Sequence, residues 1–242
     1  MFSSDPKWLK PYVVKVYPKH EVENHCVIAK EVLASTLATE FELFSPPIAL
    51  VKVSSELREQ LPTDLQEAFG KCDSFRPFFA TEYLEGSLLL EAELKRETLN
   101  GLHYLDTLYA FDVLIQNFDR RKEKPNVLLH EGELSLIDHE YSLLIDNNKI
   151  NELKSGTLTY PIEGHLMYPY LKASKKPDKL EMFGTFLEYS KILNVDCIDK
   201  NVKILNDHKI PILDVVTLKA YLSEFKANSS NFVTFLRQSL LS

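Results

Sequence analysis

The sequence predicts an α+β fold in two lobes, a small mixed lobe over residues 1–86 and a mainly helical lobe over residues 87–242. Three observations predict it. Residues 12–17, YVVKVY, are almost wholly β-branched or aromatic and follow Pro11, which is the composition of a strand. Strand-like stretches recur as far as a turn at Gly86, where the alternation ends. Beyond it, residues from about 100 to 117 place apolar side chains at helical spacing, the mark of a buried helix.

Taken in chain order, YVVKVY reads as a strand buried on both faces and interrupted by Lys15. After Pro18, residues 21–40 carry helical periodicity, with Val27, Ile28, Ala34 and Ala38 on one face and Glu31 on that same face. PPIALVKV (46–53) is a second strand, Leu57 to Phe69 a polar helix with Pro62 near its middle or start, and RPFFATEYLEG (76–86) a strand entering a turn. In the helix of 100–117, Leu102, Leu105, Tyr109 and Val113 form one stripe and Leu108, Phe111 and Ile115 another, so burial is expected on most sides. VLLH (127–130) and ELSLI (133–137) flank Glu131-Gly132 as a β-hairpin. Asp214 is placed to cap a helix bearing Val215, Leu218, Leu222 and Phe225, and Ser229 or Ser230 to cap another bearing Phe232, Phe235 and Leu236.

Composition removes several function classes. Acidic residues outnumber basic ones 35 to 28, a net charge of −7, and no basic stripe with interleaved aromatics is present, so general nucleic-acid binding is not expected. Cys26, Cys72 and Cys197 are far apart and form no CxxC pair, which argues against a disulfide framework or a zinc site and for a reducing cytoplasm. Met1 to Tyr17 holds no apolar core of signal-peptide length, and no apolar run approaches the roughly 18 residues of a membrane span. An unexported cytoplasmic protein with no membrane association is expected. His139-Glu140 lies in no HExxH spacing, and His103, His130 and His165 read as structural.

The chemistry concentrates in QNFDRRKEKPNVLLHEGELSLIDHE, residues 116–140. A buried helix ends near Asn117, a charged loop exposes Asp119, Asn126 precedes the hairpin, and Asp138 ends its second strand. Phosphoryl transfer needs hard oxygen ligands for Mg²⁺ and a carboxylate that orients the accepting hydroxyl. Asn126 and Asp138 suit the metal, and Asp119 suits the base. Arg120, Arg121, Lys122 and Lys124 form a basic cluster beside Asp119, a solvated loop or a group of cations able to steady a phosphate or an acidic peptide. Upstream, Lys15 and Glu31 each sit among apolar neighbours; either charge alone would be costly there, so mutual pairing is expected.

These segments resemble the HipA-like kinase family, and more distantly the phosphoinositide kinases. The resemblance rests on YVVKVY with Lys15, AKEVLASTLA with Glu31, SPPIALV, NFDRRKEKPNVLL, LSLIDHEYSLL and HLMYPYL, over roughly residues 11–171. It implies a two-lobed protein kinase-like fold and an ATP- and Mg²⁺-dependent phosphotransferase acting on a Ser/Thr hydroxyl of a protein. By the same resemblance Lys15, supported by Glu31, contacts the ATP phosphates, and Glu82 and Tyr83 form the hinge that meets adenine. Asp119 is then the catalytic aspartate, with Asn126 and Asp138 the metal ligands. Two features depart from the family pattern: Asn126 follows Asp119 by seven residues, a longer step than in the family's prototype, and no glycine precedes Lys15. A small-molecule kinase, and a catalytically weak nucleotide- or partner-binding pseudokinase module, are the alternatives.

Overall fold

The computed structural model describes residues 10–73, 75–90 and 104–242. Two small antiparallel sheets sit over a helical body. The first has the order β1-β3-β2, with β1 at Tyr12–Lys15, β2 at Ile48–Val51 and β3 at Phe78–Glu82. Central β3 carries the buried residues Phe78, Phe79 and Ala80. Strand β1 is an edge strand, which corrects the expectation of burial on both faces: Tyr12 and Val13 are 41% and 48% exposed. Its β-branched composition reflects the pleated surface, not the depth of the strand.

The second sheet has the order β4-β5-β6, from Leu88–Leu89, Val127–His130 and Glu133–Leu136. Strands β5 and β6 form the expected hairpin, pairing Val127 with Leu136 and His130 with Glu133. Glu131 and Gly132 both take positive φ, 50° and 85°, the geometry a two-residue primed turn requires. Phe44, four residues before β2, is bonded to the second sheet, its carbonyl accepting from the Leu136 amide at 2.8 Å.

The expected helix of 21–40 is two helices, α1 at Lys19–His25 and α2 at Val27–Thr39, separated by Cys26 in the left-handed region at φ 52°. Helix α2 is buried on nearly every side, as expected of a helix that is apolar all round. The polar helix of 57–69 is likewise two, α3 at Ser55–Glu59 and α4 at Thr63–Gly70; Pro62 cannot donate to the preceding turn and starts the second. The buried helix is described from Leu105 to Leu114 (α5), and Leu102 lies outside the described residues.

The C-terminal body consists of α6 (Asn147–Ser155), α7 (Tyr168–Lys172), α8 (Lys176–Glu181), α9 (Gly184–Ile192), α10 (Asp199–Asp207) and α11 (Val215–Leu241). Asp214 caps α11 by accepting from the Thr217 amide at 3.0 Å. No second cap follows. Ser229 is buried inside the same helix, and the break is a kink at Asn228, whose side chain donates to the Glu224 carbonyl and carboxylate. Phe41 stacks on Phe186 at 4.9 Å and lies 5.6 Å from Phe111, and Phe186 continues to Phe225 and Phe232. This aromatic run ties the end of α2 to α5, and so fixes the glutamate-bearing helix against the helix that leads into the Asp119 loop. Among the described residues, no helix is long and apolar enough to cross a membrane.

Candidate active site

A cleft of about 270 Å³ opens between the two sheets, lined by Val13, Phe79, Leu84, Leu128, Leu136 and Ile137 and by five of the expected site residues: Lys15, Glu31, Glu82, Tyr83 and Asp138. Lys15 donates to Glu31 Oε1 and, at 2.7 Å, to Asp138 Oδ1. The expected Lys15–Glu31 pair is therefore formed. Glu31 is only 1% exposed, and it is fully supplied: Tyr17 donates to Oε1 at 2.8 Å and the His139 amide to Oε2 at 2.9 Å. The His139 ring lies 3.7 Å from Oε2, beyond hydrogen-bonding reach. Burial raises the Glu31 pKa, but the neighbouring His139 and Lys15 outweigh it and hold the carboxylate at about 2. For Lys15, burial works to lower the pKa and is overcome by Glu31 and Asp138, so it is raised. Both groups are ionised across the physiological range.

Asp138 lies two residues beyond β6, with φ 62°. The left-handed backbone there, uncommon for a residue with a side chain, turns the chain away from the strand line. Asp138, Glu31 and Glu140 bring carboxylate oxygens within 4.8 Å of one another. Glu31 is already taken by Lys15, Tyr17 and the His139 amide, so the oxygens open to a hard cation such as Mg²⁺ are those of Asp138 and Glu140. Glu140 was absent from the set read off the sequence; only its position beside Asp138 hinted at it. Burial and then Asp138 raise its pKa, the response of a carboxylate crowded by like charge.

Asp119 and Asn126 stand outside the cleft lining, on the loop that follows α5. Asn126 Nδ2 donates to Asp119 Oδ2 at 3.4 Å, and the Asn126 carbonyl accepts from the Ile137 amide at 3.1 Å. The Asp119 loop is thus tied to the residue preceding Asp138. The longer Asp119-to-Asn126 step closes by an Arg121–Lys124 turn, with amide-to-carbonyl bonds of 3.0 and 3.1 Å in the two directions. Arg121 and Lys124 lie 3.2 and 3.3 Å from the Asp119 carboxylate.

Arg120 is not part of the surface cluster. It is 1% exposed and donates through Nε to Asp112 Oδ2 at 2.5 Å and through Nη1 to the Asn126 carbonyl. Asp112, fully buried in α5, also accepts from His165 Nε2 at 2.9 Å and from Asn117 Nδ2 at 2.9 Å. His165 Nδ1 accepts from the Met167 amide, which leaves the proton on Nε2. Burial raises the Asp112 pKa, yet the Arg120 charge and the His165 bond keep it at about 2. His165 itself is pushed down by burial. The sequence signal for this knot was a lone Asp112 in the apolar stretch LYAFDVLI, where an unpaired charge would not survive.

Fold and cleft together are of the protein kinase type, an α+β chain whose sheet lysine is fixed by a buried glutamate of the adjoining helix. The family model for HipA-like kinases matches residues 9–172, more than half of the chain, and the chain belongs to that family. No curated protein matches it. Among solved structures it is similar to the Helicobacter pylori proinflammatory kinase CtkA, at 13% identity, covering 96% of this chain and 88% of that one, with a TM-score of 0.48.

Proposed function

We propose that this kinase transfers the terminal phosphoryl group of ATP to a Ser or Thr hydroxyl of a protein, in a Mg²⁺-dependent reaction. The observation that carries the proposal is the cleft itself, in which the Lys15–Glu31 pair, the Glu82–Leu84 segment and Asp138 face one space. We place the lobe boundary at Gly86, between the strand that ends at Glu82 and the one that begins at Leu88.

Adenine is assigned to the Glu82–Leu84 backbone. The Glu82 amide donates to the Pro47 carbonyl at 2.8 Å, and in an antiparallel pair the return bond would run from residue 47 to the Glu82 carbonyl. Proline has no N–H to give, so that carbonyl stays available for the adenine amino group. The Tyr83 amide is spent on the Pro11 carbonyl, which assigns the donor role to the next amide facing the cleft, Leu84.

Lys15 turns from Asp138 towards the phosphates while Glu31 keeps it in the cleft. Asn126 and Asp138 are the assigned ligands of Mg²⁺, which when bound neutralises phosphate charge. Asp119 orients the acceptor hydroxyl and takes its proton as the new oxygen–phosphorus bond forms and the bond from the terminal phosphorus to ADP breaks. The free thiols of Cys26, Cys72 and Cys197 support a cytoplasmic setting.

The test is incubation with ATP labelled at the terminal phosphate, Mg²⁺ and a mixture of protein acceptors, followed by phosphoamino-acid analysis. Label on Ser or Thr, lost with a chelator, is expected. ATP binding with no turnover contradicts the reading and favours the pseudokinase alternative; label confined to small molecules favours the small-molecule kinase.

A further inference from the structure

We propose that the Arg121–Lys124 turn is an acceptor-recognition element, and that it selects a polypeptide with a carboxylate residue beside the phosphorylated hydroxyl. The inference rests on the kinase reading above and assigns that site's substrate class. In the sequence, the longer step from Asp119 to Asn126 and the basic residues within it are separate curiosities. In the structure they are one object. The turn is closed by its own two backbone bonds, Arg121 to Lys124 and back, and held from behind where the Leu166 amide donates to the Arg120 carbonyl at 3.0 Å. Arg121 also forms a bridge with His165. It is therefore a built projection and not slack chain.

Its charge is directed at the base. Asp119 has a side chain only 8% exposed, with Oδ1 held by Arg121 at 3.2 Å and Oδ2 by Lys124 at 3.3 Å and Asn126 at 3.4 Å. Oδ2 already accepts twice, while Oδ1 accepts from Arg121 and keeps a lone pair, so an incoming hydroxyl meets Asp119 with Arg121 or Lys124 directly beside it. Asn126 is fixed through its backbone to Arg120 and Ile137. Arg121 and Lys124 are half-exposed, at 50% and 52%, and are the partners free to swing. A cation that leaves Asp119 needs a new counter-charge, and a carboxylate next to the incoming hydroxyl supplies it. The same residues thus flank the base in the free protein and favour an acidic acceptor beside it.

The overall charge makes this contact selective. The chain carries −7, so an acidic segment is repelled by the molecule at large and attracted only at this turn. Lys124 also lies 5.6 Å over the Tyr141 ring, and Tyr141 is 52% exposed; the ring offers the displaced lysine a place to rest while it holds the acceptor.

The experiment uses synthetic Ser/Thr peptide sets that differ only in flanking Asp/Glu, Asn/Gln or Lys, phosphorylated by the full chain with Mg-ATP. For the wild type, kcat/KM is expected to be about tenfold higher with acidic than with neutral flanks, the scale of two partly exposed ion pairs, and the preference should shrink at high salt. The double variant Arg121→Ala/Lys124→Ala should bring the two sets to within about twofold. The single variant Lys124→Glu should shift the preference towards Lys-flanked peptides, a gain that misfolding cannot imitate. Transfer by the wild type with equal rates on acidic and neutral sets overturns this inference alone. So does an undiminished acidic preference in the double variant, or an equal loss on both peptide sets, which would assign the cations to ATP instead. No transfer by the wild type to any peptide or to water overturns the kinase reading and this inference with it.

Discussion

Glu31 and Asp112 carry the site from two buried positions, each as an ionised carboxylate whose every partner is a named donor. A buried charge with its partner removed costs about 3–5 kcal/mol. Arg120→Leu should therefore lower stability by about that amount, because Asp112 keeps only His165 and Asn117; a denaturant titration measures it. A loss under about 1 kcal/mol would mean that the arginine is not the charge partner of Asp112. Pro47→Ala tests the adenine assignment differently. The new N–H should bond the Glu82 carbonyl and compete with adenine, raising the KM for ATP about fivefold, the scale of one neutral hydrogen bond, with kcat little changed. An unchanged KM would remove the Glu82 carbonyl from nucleotide recognition.

The hairpin is the element that sequence made most legible, because Val127–His130 and Glu133–Leu136 flank a two-residue Glu-Gly turn. Gly132 takes φ 85°, and a Cβ there would meet no atom within 4 Å, so Gly132→Ala isolates backbone strain. It should cost about 1–2 kcal/mol, read as a Tm lowered by a few degrees; no shift would show that the turn relaxes freely. The placement of Asp119 and Asn126 in the loop after the buried helix, and of Asp138 just beyond the hairpin, was equally readable. Breaks within helical patterns were read unevenly: the change of helix expected at Ser229 or Ser230 falls within two residues of the kink at Asn228, whereas Cys26 interrupts its run with no proline or glycine to mark it. Arg120 was unreadable for another reason: among Arg121, Lys122 and Lys124 nothing local marks the one cation that turns inward. The exposure of β1 was missed because edge and central strands share the same residue types.

For the whole molecule, acid stability follows from the same carboxylates. Asp112 and Glu31 are each held at about 2, from ordinary values of 3.8 and 4.5. A carboxylate depressed on folding stabilises above its unfolded pKa, and that contribution is lost as pH falls through the folded value. His165, lowered by burial from 6.5, stays neutral in the fold while the unfolded chain takes up a proton, so stability also declines as pH drops below 6.5. Tm should hold above neutrality, begin to fall below pH 6.5 and drop most steeply between about 4.5 and 2; a flat Tm from pH 7 to pH 3 would contradict the buried network. The central claim, that Asp138 in the cleft serves the metal nucleotide and Asp119 on the adjoining loop serves the acceptor, is tested most directly by comparing Asp138→Ala with Asp119→Asn. Each variant is melted with and without Mg-ATP and assayed for phosphoryl transfer. Binding at a hundredfold excess over Kd stabilises the fold by about 2.7 kcal/mol, a shift that a thermal melt resolves. Asp138→Ala should lose both the Mg-ATP shift and transfer, whereas Asp119→Asn should keep the shift and lose transfer by about 10²-fold or more. The reverse pattern, or two variants that lose neither, would contradict the account.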